Sequence, residues 1–226
     1  MKFNTLKIIL LVFLFAMGNV YGQKEGTPSG GKTGKLIAPS KTTSVEAQAK
    51  ELSKQGWKVT AYSLEEQLAS TYSLMCKVDT MSGEPAYLWA QQEISSSSLK
   101  EAKSYAERLC YEALIRQFTG YLLARCQNVM QQQGATEEQT IHMYNVLTEA
   151  VPRIVRMQAK VSLDISKENG KQAAVRTVML LDKSKATNMI YGECSRKFKE
   201  QQDGEVYTQY LQKILSPKPH RSPNQK

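Results

Sequence analysis

The chain has 226 residues, a formal charge of +9 and two histidines. Its length allows one domain with a real core plus appendages, and the shortage of histidine removes the usual base of catalytic triads and the usual ligand of most zinc sites. The charge does not read as a nucleic-acid signature, because Lys2 and Lys7, a net +3 over 23–45 and a net +3 over 216–226 leave about +1 for 46–215.

Residues 1–22 read as a secretory signal peptide: two lysines, an unbroken apolar run from Ile8 to Met17, then small or neutral residues to Gly22. The apolar run is too short to span the roughly 30 Å core of a bilayer as a helix. The protein is therefore expected to be exported, to the periplasm, the outer membrane's surface or the medium. No cysteine follows the cut to carry a lipid. Residues 23–42 are rich in Gly, Lys, Ser and Thr and read as a disordered basic linker.

An N-terminal helical extension is expected over 43–85. Thr43 with Glu46 forms a capping box ahead of a short helix stopped by Gly56, and Trp57 to Thr60 reads as a brief strand or extended link. Ser63 with Glu66 opens a helix to about Lys77, and Ser82-Gly83-Glu84-Pro85 is a turn.

Residues 86–215 read as an α+β domain. Ala86 to Ile94 alternates as a strand, and Ser98 with Glu101 starts a proline-free helix from Leu99 to Gln132, whose apolar stripe includes Ala102, Ala106, Leu109, Ala113, Phe118, Leu122, Cys126 and Val129. Gly134 ends it, and Thr136 with Gln139 caps a helix expected to stop before Pro152. Apolar residues at every odd position from Val155 to Ile165 predict a half-buried strand, Asn169-Gly170 a hairpin turn, and Ala173 to Asp182 a central strand apolar on both faces. A helical region from Lys183 to Leu215, interrupted at Asp203-Gly204, follows, and 216–226 is a disordered basic tail. The order β-α-α-β-β-α predicts a three-stranded antiparallel sheet, order 1-3-2, packed on the long helix.

Chemistry-bearing residues are sparse. His220 lies in the tail and His142 on a helix beside Met143 and Tyr144, where packing or surface roles suffice. Asp79, Asp164, Asp182 and Asp203 sit at strands or turns, Glu137 and Glu138 in a first helical turn, and Ser95 to Ser98 before a helix. The sequence thus yields no catalytic residue, cofactor site or metal site. Cys76, Cys110, Cys126 and Cys194 permit disulfides or serve as buried apolar groups. Pairing of Cys110 with Cys126 is excluded, since sixteen residues of shared helix separate them by about 24 Å. Tyr87, Trp89, Arg156, Gln158, Lys160 and Arg176 share the sheet's second face and form a candidate interaction face, unless terminal helices lie over it.

The strand, the Ala102-x3-Ala106-x2-Leu109-x3-Ala113 helix and the hairpin from Arg153 to Leu181, preceded by Trp57-Lys58-Val59-Thr60 and Leu64-Glu-Glu-Gln-Leu, resemble exported bacterial proteins of the twenty-kilodalton surface lipoprotein family, in its non-lipidated branch. The resemblance spans roughly residues 50 to 200 and rests on packing patterns. It implies a small α+β envelope domain without an enzymatic role, and it transfers no functional residue. The expectation is a non-enzymatic secreted or envelope protein working by contact with an envelope protein or with itself, peripheral to the membrane, without a transmembrane span or nucleic acid. The alternatives are a carboxylate-dependent hydrolase of envelope polymers and a small-ligand carrier using Tyr87 and Trp89.

Overall fold

A computed structural model describes residues 44–60 and 62–216. The leader, the basic linker with Thr43, and the tail beyond Ser216 lie outside these residues. The elements are α1 (Val45–Lys54), β1 (Lys58–Val59), α2 (Leu64–Met75), β2 (Tyr87–Ser96), α3 (Leu99–Gln132), α4 (Glu137–Gln158), β3 (Lys160–Asn169), β4 (Gln172–Asp182), α5 (Lys183–Lys199) and α6 (Gly204–Leu215).

The sheet is antiparallel with four strands in the order β1-β3-β4-β2, which corrects the three-stranded expectation. The extra strand is β1, where Lys58 and Val59 pair with Ser166 and Ile165. The sequence leaves Trp57 to Thr60 open between a brief strand and an extended link, because two residues are too few to show a period, and pairing with β3 makes Lys58 and Val59 the fourth strand.

A second correction concerns Val155 to Ile165. Residues through Gln158 belong to α4, and β3 begins at Lys160. Met143, Val146, Leu147, Ala150, Val151, Ile154 and Val155 are all buried, at steps of three and four, so one helical stripe continues through Pro152. Burial of Ile154 and Val155 outweighs the hydrogen bond that Pro152 forgoes. Met157 and Val161, counted toward the strand alternation, are 49% and 42% exposed.

Helix starts follow local chemistry. Ser63 with Glu66 and Thr136 with Gln139 form reciprocal capping boxes, while the Ser98 hydroxyl accepts from the Glu101 amide. At α1 the cap is Ser44, whose hydroxyl accepts from the Ala47 amide at 3.1 Å. The β3–β4 hairpin turns at Gly170, with φ of +62°.

The sheet separates two apolar clusters. On one face Ala49 and Leu52 of α1 and Leu68, Tyr72 and Met75 of α2 pack on Leu163, Ile165, Val178 and Leu180. On the other, α3 lies against β2 and β4, and α4, α5 and α6 pack beyond it. Within α3 the residues Ala102, Ala106, Cys110, Leu114, Phe118, Leu122, Cys126 and Met130 are buried at a strict step of four. Each step of four turns the buried side by about 40°, so the helix meets different partners along its length. Ala102 and Ala106 meet Val175 of β4, and further along Arg125 reaches the end of α6. Burying each large apolar side chain here contributes about 1.5–3 kcal/mol.

Candidate functional site

The residues expected to share one sheet face are divided by the structure. Tyr87 and Trp89 pack half-buried against the cluster that α1 and α2 form over the sheet. Arg176 is only 6% exposed; its Nε and Nη2 donate to Glu93 Oε2 at 2.8 and 2.6 Å, and its guanidinium lies 4.7 Å from the Trp57 ring centre. Lys167 lies 4.5 Å from the same ring. Arg156 and Gln158 sit in the last turn of α4, off the sheet, while Lys160, exposed at the first position of β3, stands opposite Leu180, which stands opposite Trp89, and so lies on the same face two strands away from the aromatic pair. The N-terminal helices occupy the face. Within that layer, desolvation pushes the Tyr72 hydroxyl up to about 12, against the lowering effect of Arg176.

All four cysteines are free thiols. Cys76 is exposed, and Cys110, Cys126 and Cys194 are fully buried. Burial pushes each of these three up to about 12, so they are inert neutral groups at physiological pH. The Cys110 thiol lies 3.7 Å from the Ala90 carbonyl and 3.6 Å from that of Thr177, seating α3 on the sheet.

Several of the acidic residues are engaged in local structure. Asp79 Oδ1 accepts from the Met81 and Ser82 amides, Asp182 caps α5 through the Lys185 amide, and Lys183 pairs with Glu84 at 3.2 Å. His142 bonds Gln201 at 2.9 Å, packs on Tyr207 at 4.9 Å between ring centres, and with Glu138 and Asp203 lines a shallow cleft of about 410 Å3. Among the described residues no group of three His, Cys, Asp or Glu could hold a metal ion, and no helix is long and apolar enough to cross a membrane.

Two surface features remain. The first is β2, an edge strand of ten residues, paired along Tyr87 to Ser96 with β4 and, among the described residues, with no strand on its other side. Its sequence, YLWAQQEISS, holds no Lys, Arg or Pro. Its single charge, Glu93, is tied to Arg176 on the sheet face. The second is a cleft of about 650 Å3 beside the start of β3. Thr60 and Tyr62, just after β1, border it on one side, Glu66, Gln67 and Ser70 of α2 line another, and Lys103 of α3 approaches from across the strand. A bulge between Val161 and Leu163 takes Ser162 out of register with β4 at its floor. Thr71 Oγ1 donates to the Ser162 carbonyl at 3.1 Å and lies 2.8 Å from its hydroxyl. Asp164 is held by Lys103 at 2.6 Å and by the Thr177 hydroxyl at 3.0 Å. Sequence reading missed this cleft, since four separate elements and one bulge build it.

No protein-family model, curated protein or solved structure matches the chain.

Proposed function

We propose that this is an exported, non-enzymatic protein of the cell envelope or its surroundings that works by associating along a sheet edge, with a second copy of itself or with an envelope protein. The observation that carries this reading is the β2 edge. Among the described residues no strand pairs with its outer side, and, although the Trp89 carbonyl accepts from Gln117 Nε2 at 3.2 Å, the strand has none of the lysines or prolines by which proteins usually blunt such edges. The family resemblance and the leader's composition support export.

The alternative of a two-carboxylate hydrolase draws on Glu66 and Asp164, which line one cleft. Such chemistry needs one acid protonated near neutral pH. Glu66 is already bound to the Ser63 amide and hydroxyl at 2.9 and 2.8 Å, which lowers its pKa, and Asp164 is committed to Lys103 and Thr177. The binding role therefore fits these groups better.

Light scattering across a concentration series tests self-association, and crosslinking in intact cells followed by mass spectrometry tests a foreign partner. A dimer that Gln92→Lys in the middle of β2 converts to monomer supports the reading, as does a crosslink from β2 to one reproducible neighbour. A monomer at all concentrations with no crosslink from β2 refutes it.

A further inference from the structure

The bulge and the cleft beside it serve no evident packing purpose, and one residue at the rim is held in a costly conformation. Tyr62 is the one non-glycine residue among the described ones with positive φ, at +63°, and the residue is 84% exposed. Side chains avoid that region, and residues kept in it concentrate at binding and catalytic sites. An exposed ring gains little from its own packing there, which leaves contact with something outside the protein as its use.

We propose that the cleft is a binding site for an uncharged saccharide, with Tyr62 supplying the stacking face. The volume of about 650 Å3 lies within the roughly 300–1,000 Å3 of small-molecule sites. The walls match a hydroxyl-rich ligand. Ser70 and Ser162 offer hydroxyls and Asp164 a carboxylate oriented by Lys103 and Thr177. Since Thr71 gives its proton to the Ser162 carbonyl, the Ser162 hydroxyl donates to Thr71 and keeps lone pairs for a ligand hydroxyl. An aromatic ring beside such groups suits a sugar, whose faces carry C–H groups and whose rim carries hydroxyls.

Other ligand classes fit less well. Glu66 and Asp164 against Lys103 leave the walls net negative, unfavourable to phosphates and carboxylates. An apolar ligand would find chiefly Val161 and the Tyr62 ring. A peptide strand adding to β3 would meet the bulge and a Ser162 carbonyl already occupied by Thr71.

Saturation-transfer NMR on the full chain tests this, with N,N′-diacetylchitobiose, cellobiose and maltose as probes at millimolar concentration and glucose 6-phosphate as the anionic control. At least one neutral disaccharide is expected to receive saturation on its ring protons, and more strongly than the phosphate. Tyr62→Gly removes the ring while keeping a residue that adopts positive φ freely. It is expected to weaken binding about three- to tenfold with an unchanged or raised thermal midpoint. No transfer to any of the three, or transfer undiminished in Tyr62→Gly, overturns the proposal.

Discussion

Replacing Gly204 by alanine tests whether the turn between α5 and α6 is as tightly built as the structure shows. Gly204 is the first residue of α6 and is buried, and its amide donates to the Gln201 carbonyl at 3.1 Å. A Cβ there would lie 1.9 Å from the Phe198 carbonyl oxygen and 2.7 Å from its carbon. Carbon and oxygen approach in normal weak contacts to about 3.3–3.6 Å, so the backbone must move by more than about 1 Å. The obstructing atoms have little freedom to move. The Phe198 carbonyl also accepts from the Gln201 amide at 2.9 Å, and the Phe198 ring is fully buried, 5.2 Å from the Tyr207 ring centre. Overpacking of this kind costs about 1–3 kcal/mol, with the rigid backbone favouring the upper end, while alanine returns up to about 1 kcal/mol of helix propensity. The expected net loss is about 2 kcal/mol, a fall in Tm of roughly 4–8 °C for a domain of this size. Gly120 in α3 and Gly192 in α5 have nothing within 4 Å of a built Cβ, so Gly120→Ala and Gly192→Ala are expected to raise stability by about 0.5–1 kcal/mol. Thermal unfolding followed by circular dichroism reads all three variants. Equal or greater stability of Gly204→Ala would refute the steric reasoning.

Arg125→Ala should lower stability by about 2–4 kcal/mol in urea unfolding, because its side chain donates to the Ile214 carbonyl at 2.7 Å, to the Ser216 carbonyl and to the Tyr121 hydroxyl. Hydrogen exchange should localise the added opening to the last turn of α6, and uniform loss of protection would contradict that. In the native protein at pH 8 a thiol reagent should modify Cys76 alone and reach all four thiols after unfolding; fewer than four in denaturant would reveal disulfides instead. The folded pKa of about 12 for Cys110, Cys126 and Cys194 exceeds the unfolded value near 8.5, so the native state holds more protons between the two. Stability should thus be intact below about pH 8.5 and fall by about 1.4 kcal/mol per pH unit per thiol above it, which denaturant midpoints from pH 8 to 11 would read as a flat line were the reasoning wrong. Trp57 is 2% exposed with its indole nitrogen unpartnered, so Trp57→Phe, which keeps an aromatic ring beneath Lys167 and Arg176, should cost far less than the about 3–5 kcal/mol expected of Trp57→Ala, and equal losses would contradict a role carried by the ring alone.

Much of the fold was legible because its signals are local. The bounds of α3 follow from Ser98, a proline-free stretch and Gly134, and the capping boxes at Ser63 and Thr136 close over three residues. What failed depends on contacts that no local pattern encodes. Val155 satisfies both the helical stripe from Met143 and the odd-position alternation to Ile165, and only the packing of Ile154 and Val155 beside Val151 decides between them. Residues Lys58 and Val59 form a strand because Ile165 and Ser166 stand opposite. The step of four in α3 was also obscured, since a stripe that turns about 40° at each step leaves little amphipathic contrast over the whole length.

The candidate sites divide along the same line. Arg176 lies on the same side of the sheet as Trp89, but whether that side faces water depends on Trp57, which lies over the guanidinium from more than a hundred residues away in sequence. Arginine and aromatic rings on one face thus formed a packed layer instead of an exposed patch. The exposed candidates arise where pairing stops: among the described residues β2 has no strand beyond it, and β1 ends after two residues and leaves the start of β3 beside a cleft. In a sheet flanked by helices on both faces, the edges are where backbone groups and bulged side chains meet solvent. If the protein acts by contact, its two sheet edges are therefore the places to interrogate, and charge at Gln92 or removal of the Tyr62 ring separates them, because each change alters one edge and leaves the other as it is.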